Sequence, residues 1–176
     1  MAPMIQLTYQ PALDPFHAIF RLMRLRRIVA NFGPLDVGYV RILDFYLLFP
    51  FRIDEIRLAQ KHRRYKALAS TYSGLRPYGD LPASNVLFER MKPMEEAAME
   101  TMVRLMLFDS EAFRISRIAD TERPSPPEIE ERVAEVNDAQ ADLLAFLGLL
   151  VTEYPFLGDQ GIKARTGLLE YRYDSV

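Results

Sequence analysis

The chain has 176 residues, a formal net charge of −2 at pH 7 and a hydrophobic content of 49%. Its length fits one domain with small additions, and this share of apolar residues excludes a chain that is disordered throughout. It contains no Cys, which excludes disulfide bonds and cysteine-ligated metal sites and is in keeping with a reducing compartment.

No secretory signal is recognisable at the start of the sequence, where no basic region precedes an apolar run. The longest apolar stretch, residues 37–51, is interrupted by Arg41, Asp44 and Pro50. It is also shorter than the roughly 20 residues that a membrane-spanning helix needs. We therefore expect a cytoplasmic protein that does not contact a membrane.

Charge is distributed unevenly along the chain. Residues 1–90 contain 13 Lys and Arg against 7 Asp and Glu, whereas residues 91–176 contain 9 against 17. Such a chain could present a basic face and an acidic face to different partners. Two solvated surfaces would give the same counts, so the pattern alone does not decide between the two interpretations.

The first helix is predicted to begin at Asp14-Pro15, because Asp caps helix N-termini and Pro suits the first helical position. It is predicted to end near Phe32, before Gly33-Pro34. Apolar residues cover most of its circumference, which is typical of a buried helix. Its narrow polar stripe consists of His17, Arg21 and Arg24.

A second helix is predicted over residues 39–49, with Asp36 as a candidate cap. Arg41 and Asp44 are the polar residues within it, and they lie three apart on one face. At this spacing the two side chains could pair with each other or with groups of a partner.

Residues 60–72 are predicted to form a basic helix. Its cations are candidates for nucleic-acid contact, because cations that meet phosphates supply most of the affinity for a duplex. The simpler interpretation, a solvated charged face, remains the better one. The candidate residues are Lys61, Arg63, Arg64 and Lys66.

A further helix is predicted from Ser84 to Met91, restarting at Pro93 and continuing to about residue 108. Residues 113–118 then alternate apolar and polar, as a half-buried strand does. Helices followed by a short strand are typical of a winged helix. The helix in the place of a recognition helix carries Glu95, Glu96 and Glu100 and only Arg104. The net negative charge of this helix would repel the phosphates that flank a DNA groove, so we favour contact of the helix with protein.

Residues 121–127 resemble a linker, and Ser125 with Glu128 has the spacing of a capping box. Behind them, apolar residues recur at alternating steps of four and three, which predicts one long helix with a heptad seam. This seam packs either on the chain's own helices or on a partner. It consists of Ile129, Val133, Val136, Gln140, Leu143, Leu147 and Leu150.

Sequence signatures of catalysis are missing. The two histidines, His17 and His62, have no metal-ligand spacing, and neither a phosphate-binding glycine loop nor a nucleophile elbow is present. Carboxylates adjacent in sequence point about 100° apart on a helix and cannot share a site. We therefore expect no enzyme activity, no cofactor and no metal. An enzyme of unknown type is the weakest alternative.

The last residues are unusually rich in groups that form interfaces. Residues 163–174 contain two Arg, two Tyr and two Leu, whereas most termini are small, polar and frayed. We expect this tail to dock, either on its own domain or on a partner. The residues expected in these contacts include Arg165, Tyr171, Arg172 and Tyr173.

Four blocks of sequence carry a family resemblance: residues 9–21 (YQPALDPFHAIFR), 42–50 (ILDFYLLFP), 87–91 (LFERM) and 161–174 (GIKARTGLLEYRYD). With these blocks in this order, the chain resembles the small middle components of bacterial ABC-three-component defence systems, the group that includes Lamassu-type loci. The second block and the last are the more specific ones.

The resemblance implies a non-enzymatic subunit of winged-helix character beside an SMC- or Rad50-like ABC ATPase and an effector, often a nuclease. The subunit would restrain the effector or couple it to the ATPase, and DNA would be contacted only within the complex. The partner-binding residues implied by the matching blocks are Asp14, His17, Arg21, Asp44, Arg165, Thr166, Glu170, Tyr171 and Arg172.

The sequence as a whole predicts a mostly α fold: a winged-helix-like domain with a small β-wing over residues 1–122, and a long helix with a docked tail over residues 123–176. The two parts are expected to form one compact unit. The leading functional hypothesis is an adaptor of an antiviral ATPase–effector complex. The alternative is a stand-alone winged-helix DNA-binding regulator, which should display a continuous basic surface that includes its recognition helix.

Overall fold

Helices build most of the protein. The computed structural model describes residues 11–170, and within them eight α-helices surround one apolar core beside a two-stranded sheet. The predicted mostly α fold with a small β-wing is therefore confirmed. The helices are α1 (Pro15–Phe32), α2 (Val37–Leu48), α3 (Ala67–Thr71), α4 (Ser84–Arg104), α5 (Ser110–Arg114), α6 (Pro127–Ala139), α7 (Ala141–Glu153) and α8 (Ile162–Thr166). The strands are β1 (Leu35–Asp36) and β2 (Arg117–Ile118), and 3-10 helices cover Pro11–Leu13, Pro50–Glu55, Gln60–Lys66 and Ser73–Leu75.

Helix α1 has the predicted limits. The Asp14 carboxylate accepts hydrogen bonds from the backbone N–H groups of Phe16 (2.8 Å) and His17 (3.4 Å), which would otherwise lack partners at a helix start. At the other end, the Gly33 N–H donates to the carbonyl of Val29 at 2.7 Å. A side chain at residue 33 would place its Cβ only 2.5 Å from that same carbonyl oxygen, so this close turn requires glycine.

Helix α2 forms the centre of the core, in contact with α1, α4 and α7. Residues 39–47 are all buried. The ring of Phe45 lies 5.1 Å from that of Phe49 and 6.0 Å from that of Phe88, both measured between centroids. Asp36 occupies the N-cap position as predicted, but its side chain makes no capping hydrogen bond. The helix begins two residues earlier and ends one residue earlier than the sequence pattern predicted.

Helix α4 is continuous through Pro93, so the predicted restart at that residue is wrong. Because Pro93 has no N–H, the carbonyl of Glu89 has no helical donor. Both residues lie on the exposed face, where water can donate a hydrogen bond to that carbonyl. The opposite face is held in place by burial of Met91, Ala98 and Met99. Packing on one face therefore overrides the local preference for a break.

The wing is smaller than predicted. The predicted strand over residues 113–118 is wrong for most of its length, since α5 occupies residues 110–114 and only Arg117–Ile118 is extended. The Asp109 carboxylate accepts a hydrogen bond from the Ala112 N–H at 2.7 Å, which caps a helical turn that alternation of apolar residues does not reveal. Strand β2 pairs antiparallel with β1, with Leu35 opposite Ile118.

The predicted long heptad helix is instead two helices, α6 and α7, separated at Gln140. Of the predicted seam, Leu143, Leu147 and Leu150 are buried, whereas no residue of α6 is. The side chain of Gln140 accepts a hydrogen bond from Arg24 at 2.6 Å. The break lets α7 pack into the core while α6 crosses the surface of α1, which one straight helix could not do.

The segment before α6 is tied to α1 rather than free as a linker. Arg26 donates to the carboxylate of Asp120 at 2.6 Å, to the hydroxyl of Ser125 at 3.1 Å and to the carbonyl of Arg123 at 2.8 Å. The N–H of Ser125 donates to the side chain of Glu130 at 2.7 Å, so the reciprocal partner of the predicted capping box is two residues further on than expected.

The contribution of the Asp14 cap to the stability of α1 can be tested by substitution. Replacing the carboxylate in Asp14→Ala should lower the free energy of unfolding by about 0.5–2 kcal/mol, because two N–H groups lose their acceptor. Urea denaturation measures the change. Asp14→Asn retains an oxygen acceptor and serves as the control. An Asp14→Ala variant as stable as the Asn variant would contradict the assigned role.

Candidate interaction site

Two predicted site residues form a buried ion pair. The guanidinium of Arg21 in α1 binds the carboxylate of Asp44 in α2 through two parallel hydrogen bonds, of 2.6 and 2.9 Å. Both side chains are almost inaccessible, at 4% and 1% exposure. A third hydrogen bond joins Arg21 to the carbonyl of Pro11 at 3.2 Å. In this conformation a partner cannot reach either charge directly, and a role of this pair in partner binding stays a prediction.

A second buried pair joins α2 to α4. Arg41 donates to Glu95 at 2.6 Å and to the carbonyl of Phe88 at 3.0 Å, and its guanidinium lies 4.1 Å from the centre of the Phe88 ring. The predicted alternative that Arg41 pairs with Asp44 is wrong, because the two side chains turn towards different helices. Glu95 is buried and therefore does not contribute to the exposed charge of α4, whereas the comparison with a DNA-recognition helix assumed that it does.

Glu95 is the least satisfied group of this network. One of its carboxylate oxygens is buried without a hydrogen-bond partner within residues 11–170. Burial raises the pKa of Glu95 to about 8, and the negative charge of Asp44 acts in the same direction. The positive charges of Arg41 and Arg21 offset part of this shift. Four ionisable groups from three helices are therefore coupled inside the core, and Glu95 is mostly protonated near neutral pH.

The described part of the tail docks on its own chain. Ile162, Ala164 and Leu168 are buried. Arg165 donates to the carbonyl of Gln160 at 2.7 Å and to its side-chain oxygen at 2.6 Å, and also to the carbonyl of Arg57.

Arg57 also donates hydrogen bonds to this segment. Its N–H donates to the carbonyl of Arg165 at 3.0 Å, and its guanidinium donates to the carbonyl of Ala164. The segment through Leu168 thus packs on the chain itself, while docking of the whole predicted tail stays a prediction. Thr166 bonds its hydroxyl to the carbonyl of Ile162 at 2.8 Å, and Glu170 is exposed. The end of the last block, residues 171–174, lies outside the described residues. It includes Tyr171, Arg172 and Tyr173.

Tyr154 links this tail to the basic segment. The guanidinium of Arg165 lies 4.8 Å from the centre of the Tyr154 ring. The Tyr154 hydroxyl accepts a hydrogen bond from the N–H of Ala59 at 3.1 Å and lies 2.6 Å from Nδ1 of His62. His62 is buried, so this contact gives it a structural position, whereas His17 is half-buried on α1.

The basic segment is a 3-10 helix, Gln60–Lys66, followed by α3, and not the predicted α-helix. Lys61 forms a 2.6 Å ion pair with Glu153, and Lys66 donates to the carbonyl of Asp54 at 2.6 Å. Arg64 lies over the ring of Tyr65 at 5.1 Å, and Arg63 is exposed. Three of the four candidate nucleic-acid contacts are therefore already engaged within the chain, and nucleic-acid binding stays a prediction.

Sequence reasoning missed a groove between α1, α6 and α7, with a volume of about 510 Å³. Of the residues that line it, about half are apolar or glycine, and the others are Arg24, Arg27, Asn31, Asn137, Asp138 and Thr152. A signal for it exists in the sequence: Ala141, Ala145 and Gly148 follow one another at helical spacing and leave room beside α7. The lining includes Arg24, Ile28, Phe32, Leu144, Ala145 and Leu149.

Within residues 11–170, no cluster of three or more His, Asp or Glu side chains has an arrangement that could hold a metal ion. Over the same range, none of the helices combines the length and the apolar character that crossing a bilayer requires.

The fold is thus that of a mostly helical protein whose conspicuous charges are largely paired with one another. Residues 7–174 match the model of the family described as "ABC-three component (ABC-3C) system Middle Component 5", and the chain belongs to this family. The predicted resemblance to middle components is confirmed, while the Lamassu-type assignment stays a prediction. Comparisons with curated proteins and with solved structures found no match.

The stability of the protein should depend on the protonation of Glu95. Its pKa is about 8 when folded, against an ordinary value of 4.5, so the folded state binds more protons between these two values. Stability should therefore fall as the pH rises from about 5 to 8. Denaturation of Glu95→Gln over this range should lack that component of the slope. The exposed neighbour variant Glu96→Gln should keep it, and equal slopes for all three proteins would contradict the assignment.

The tail contacts should make Arg165 a stabilising residue. Arg165→Ala removes hydrogen bonds between a charged group and two segments of the chain, which should cost about 2 kcal/mol of unfolding free energy. Thermal denaturation followed by circular dichroism checks this. Arg63→Ala, on an exposed side chain, should change stability by no more than about 0.5 kcal/mol. An Arg165→Ala protein of unchanged stability would instead favour a tail that serves a partner.

Proposed function

We propose that this protein is a non-enzymatic adaptor that joins an SMC- or Rad50-like ABC ATPase to an effector in a cytoplasmic antiviral complex. The observation that carries the proposal is the match of residues 7–174 to a family of middle components of ABC-three-component systems. A component named for its place between others is expected to act by binding them. The finer assignment, a Lamassu-type system with a nuclease effector, rests on the blocks of sequence quoted above.

The contacts of the charged residues support an adaptor over an enzyme. Arg21, Asp44, Arg41 and Glu95 are buried and paired among themselves, and His62 is held by Tyr154. Catalytic acids and bases must instead reach a substrate. The charges that sequence inspection singled out therefore hold helices together.

The alternative, a stand-alone DNA-binding regulator, receives less support. A recognition helix needs cations along its exposed face to meet phosphates. The exposed charges of α4 balance one another, with Glu89, Glu96 and Glu100 against Arg90, Lys92 and Arg104, so its exposed face has no excess of cations. We therefore favour a helix that contacts protein, with any DNA contact supplied within the assembled complex.

Co-expression with the products of neighbouring genes tests the proposal. Affinity purification of the tagged protein should retain a large ABC ATPase and a third component in stable ratios. The protein alone should neither hydrolyse ATP nor cleave DNA. Failure of the wild-type protein to co-purify with either product would sink the adaptor role. An activity of the isolated protein that a single substitution abolishes would sink the non-enzymatic assignment.

A further inference from the structure

The groove between α1, α6 and α7 contains a buried cation without a counterion. Arg24 is 6% exposed, and its Nε and one terminal nitrogen donate to the amide oxygens of Asn137 (2.9 Å) and Gln140 (2.6 Å). No carboxylate lies within 4.0 Å of it among residues 11–170, and its other terminal nitrogen makes no hydrogen bond there. The two neutral amide groups accept hydrogen bonds from the Arg24 guanidinium, but they do not neutralise its positive charge.

The other buried arginines in the described part of the chain differ in this respect. Arg21 and Arg41 each bind a carboxylate at 2.6 Å, and Arg52 lies 3.5 Å from Glu55. A buried charge is costly unless it is paired, and burial lowers the pKa of Arg24 to about 10, which still leaves it cationic near neutral pH. Arg24 is therefore the buried arginine of the described residues that has no carboxyl group within 4.0 Å.

The surroundings of Arg24 favour an anionic ligand with an apolar body. Arg27 lies three residues along α1, is exposed and lines the same groove. Asp138 on α6 also lines it, yet it forms no ion pair with either arginine at 4.0 Å or less. The groove thus presents two cations against one carboxylate, next to the apolar side chains of Ile28 and Leu144.

Small residues of α7 along the groove leave room for a second helix. Ala141, Ala145, Gly148 and Thr152 follow one face of α7, and such small residues let a second helix approach closely. Phe32 stands at one side with 42% of its surface exposed, although it is a large apolar residue. A nucleic acid would meet this apolar wall and the carboxylate of Asp138, and neither suits a phosphate backbone.

We propose that this groove binds an amphipathic helix of a protein partner, whose apolar side chains fill the trough and whose carboxylates meet Arg24 and Arg27. This inference rests on the proposed adaptor function, and the helix belongs to another subunit of the same complex. The mode is that of a helix in a hydrophobic groove, with apolar anchors at helical spacing and charge pairs at the rim.

Two substitutions in the groove test the proposal, with matched controls elsewhere. Ala145→Glu places bulk and negative charge in the trough from an exposed helical position, and Arg27→Glu reverses the charge of an exposed rim residue. Each should weaken binding of the partner subunit by about tenfold or more, measured by biolayer interferometry with the full-length proteins. Ala97→Glu and Arg90→Glu make the same changes at exposed positions of α4 and should alter affinity less than about twofold.

The outcomes of these binding measurements distinguish failure of the groove assignment from failure of the adaptor role. Groove variants that keep their thermal stability and bind the partner like the wild type would overturn the groove assignment and leave the adaptor role standing. Groove variants that lose DNA binding while partner binding is unchanged would overturn it as well. A wild-type protein that binds no partner contradicts the adaptor role itself.

A measurement without substitutions guards against misfolded variants. Hydrogen exchange of the wild-type protein should slow in α6, α7 and the C-terminal half of α1 when the partner is added. Unchanged exchange in all three segments would overturn the proposal.

Discussion

The arrangement of the core depends on two opposite charges carried by its most buried helix. Arg41 and Asp44 lie on α2, which is otherwise apolar over most of its length. Neither charge can remain without a partner in the core, so Asp44 requires Arg21 from α1 as its counterion, and Arg41 requires the Glu95 carboxyl group of α4 as its hydrogen-bond acceptor. Breaking a buried ion pair such as Arg21–Asp44 costs on the order of 3–5 kcal/mol, a large part of the roughly 5–15 kcal/mol that stabilises a domain. These pairs therefore specify which helices surround α2, while apolar contacts supply most of the driving force.

A second set of contacts joins the C-terminal segment to the middle of the chain. The Tyr39 hydroxyl lies within hydrogen-bond distance of the carbonyl oxygens of Leu150 (2.6 Å) and Tyr154 (2.9 Å), which share its single proton, and this fixes the end of α7 against α2. Tyr154 in turn contacts His62, and Arg165 extends the same network to the backbone of Arg57. Because these hydrogen bonds are made by large, half-apolar side chains, they combine buried area with directional contacts. Residues 154–170 are thus part of the domain and not an appendage.

Pairing within the chain also bears on function. Most of the charged residues that look functional in the sequence are paired with other groups of the chain. Surfaces of the protein are therefore better candidates for partner binding than individual charged residues. The groove beside α7 differs because Arg24 lies in it with no carboxylate within 4.0 Å among residues 11–170, and because apolar and small residues line it as well. A protein of a middle-component family is expected to carry such surfaces, since binding its neighbours requires faces that the fold leaves unpaired.

The sequence by itself determined the elements whose signals are local. Asp14, Pro15 and Gly33 set the limits of α1 because capping and chain reversal involve atoms only a few residues apart. The mostly helical class and the family followed from periodicity and from blocks of residues in order. Only the tertiary structure decided the partners of the charges, since Arg41 and Glu95 are 54 residues apart and Arg24 and Gln140 are 116 apart. The break at Gln140 and the continuity of α4 through Pro93 depend in the same way on packing, which a periodic pattern of apolar residues does not record.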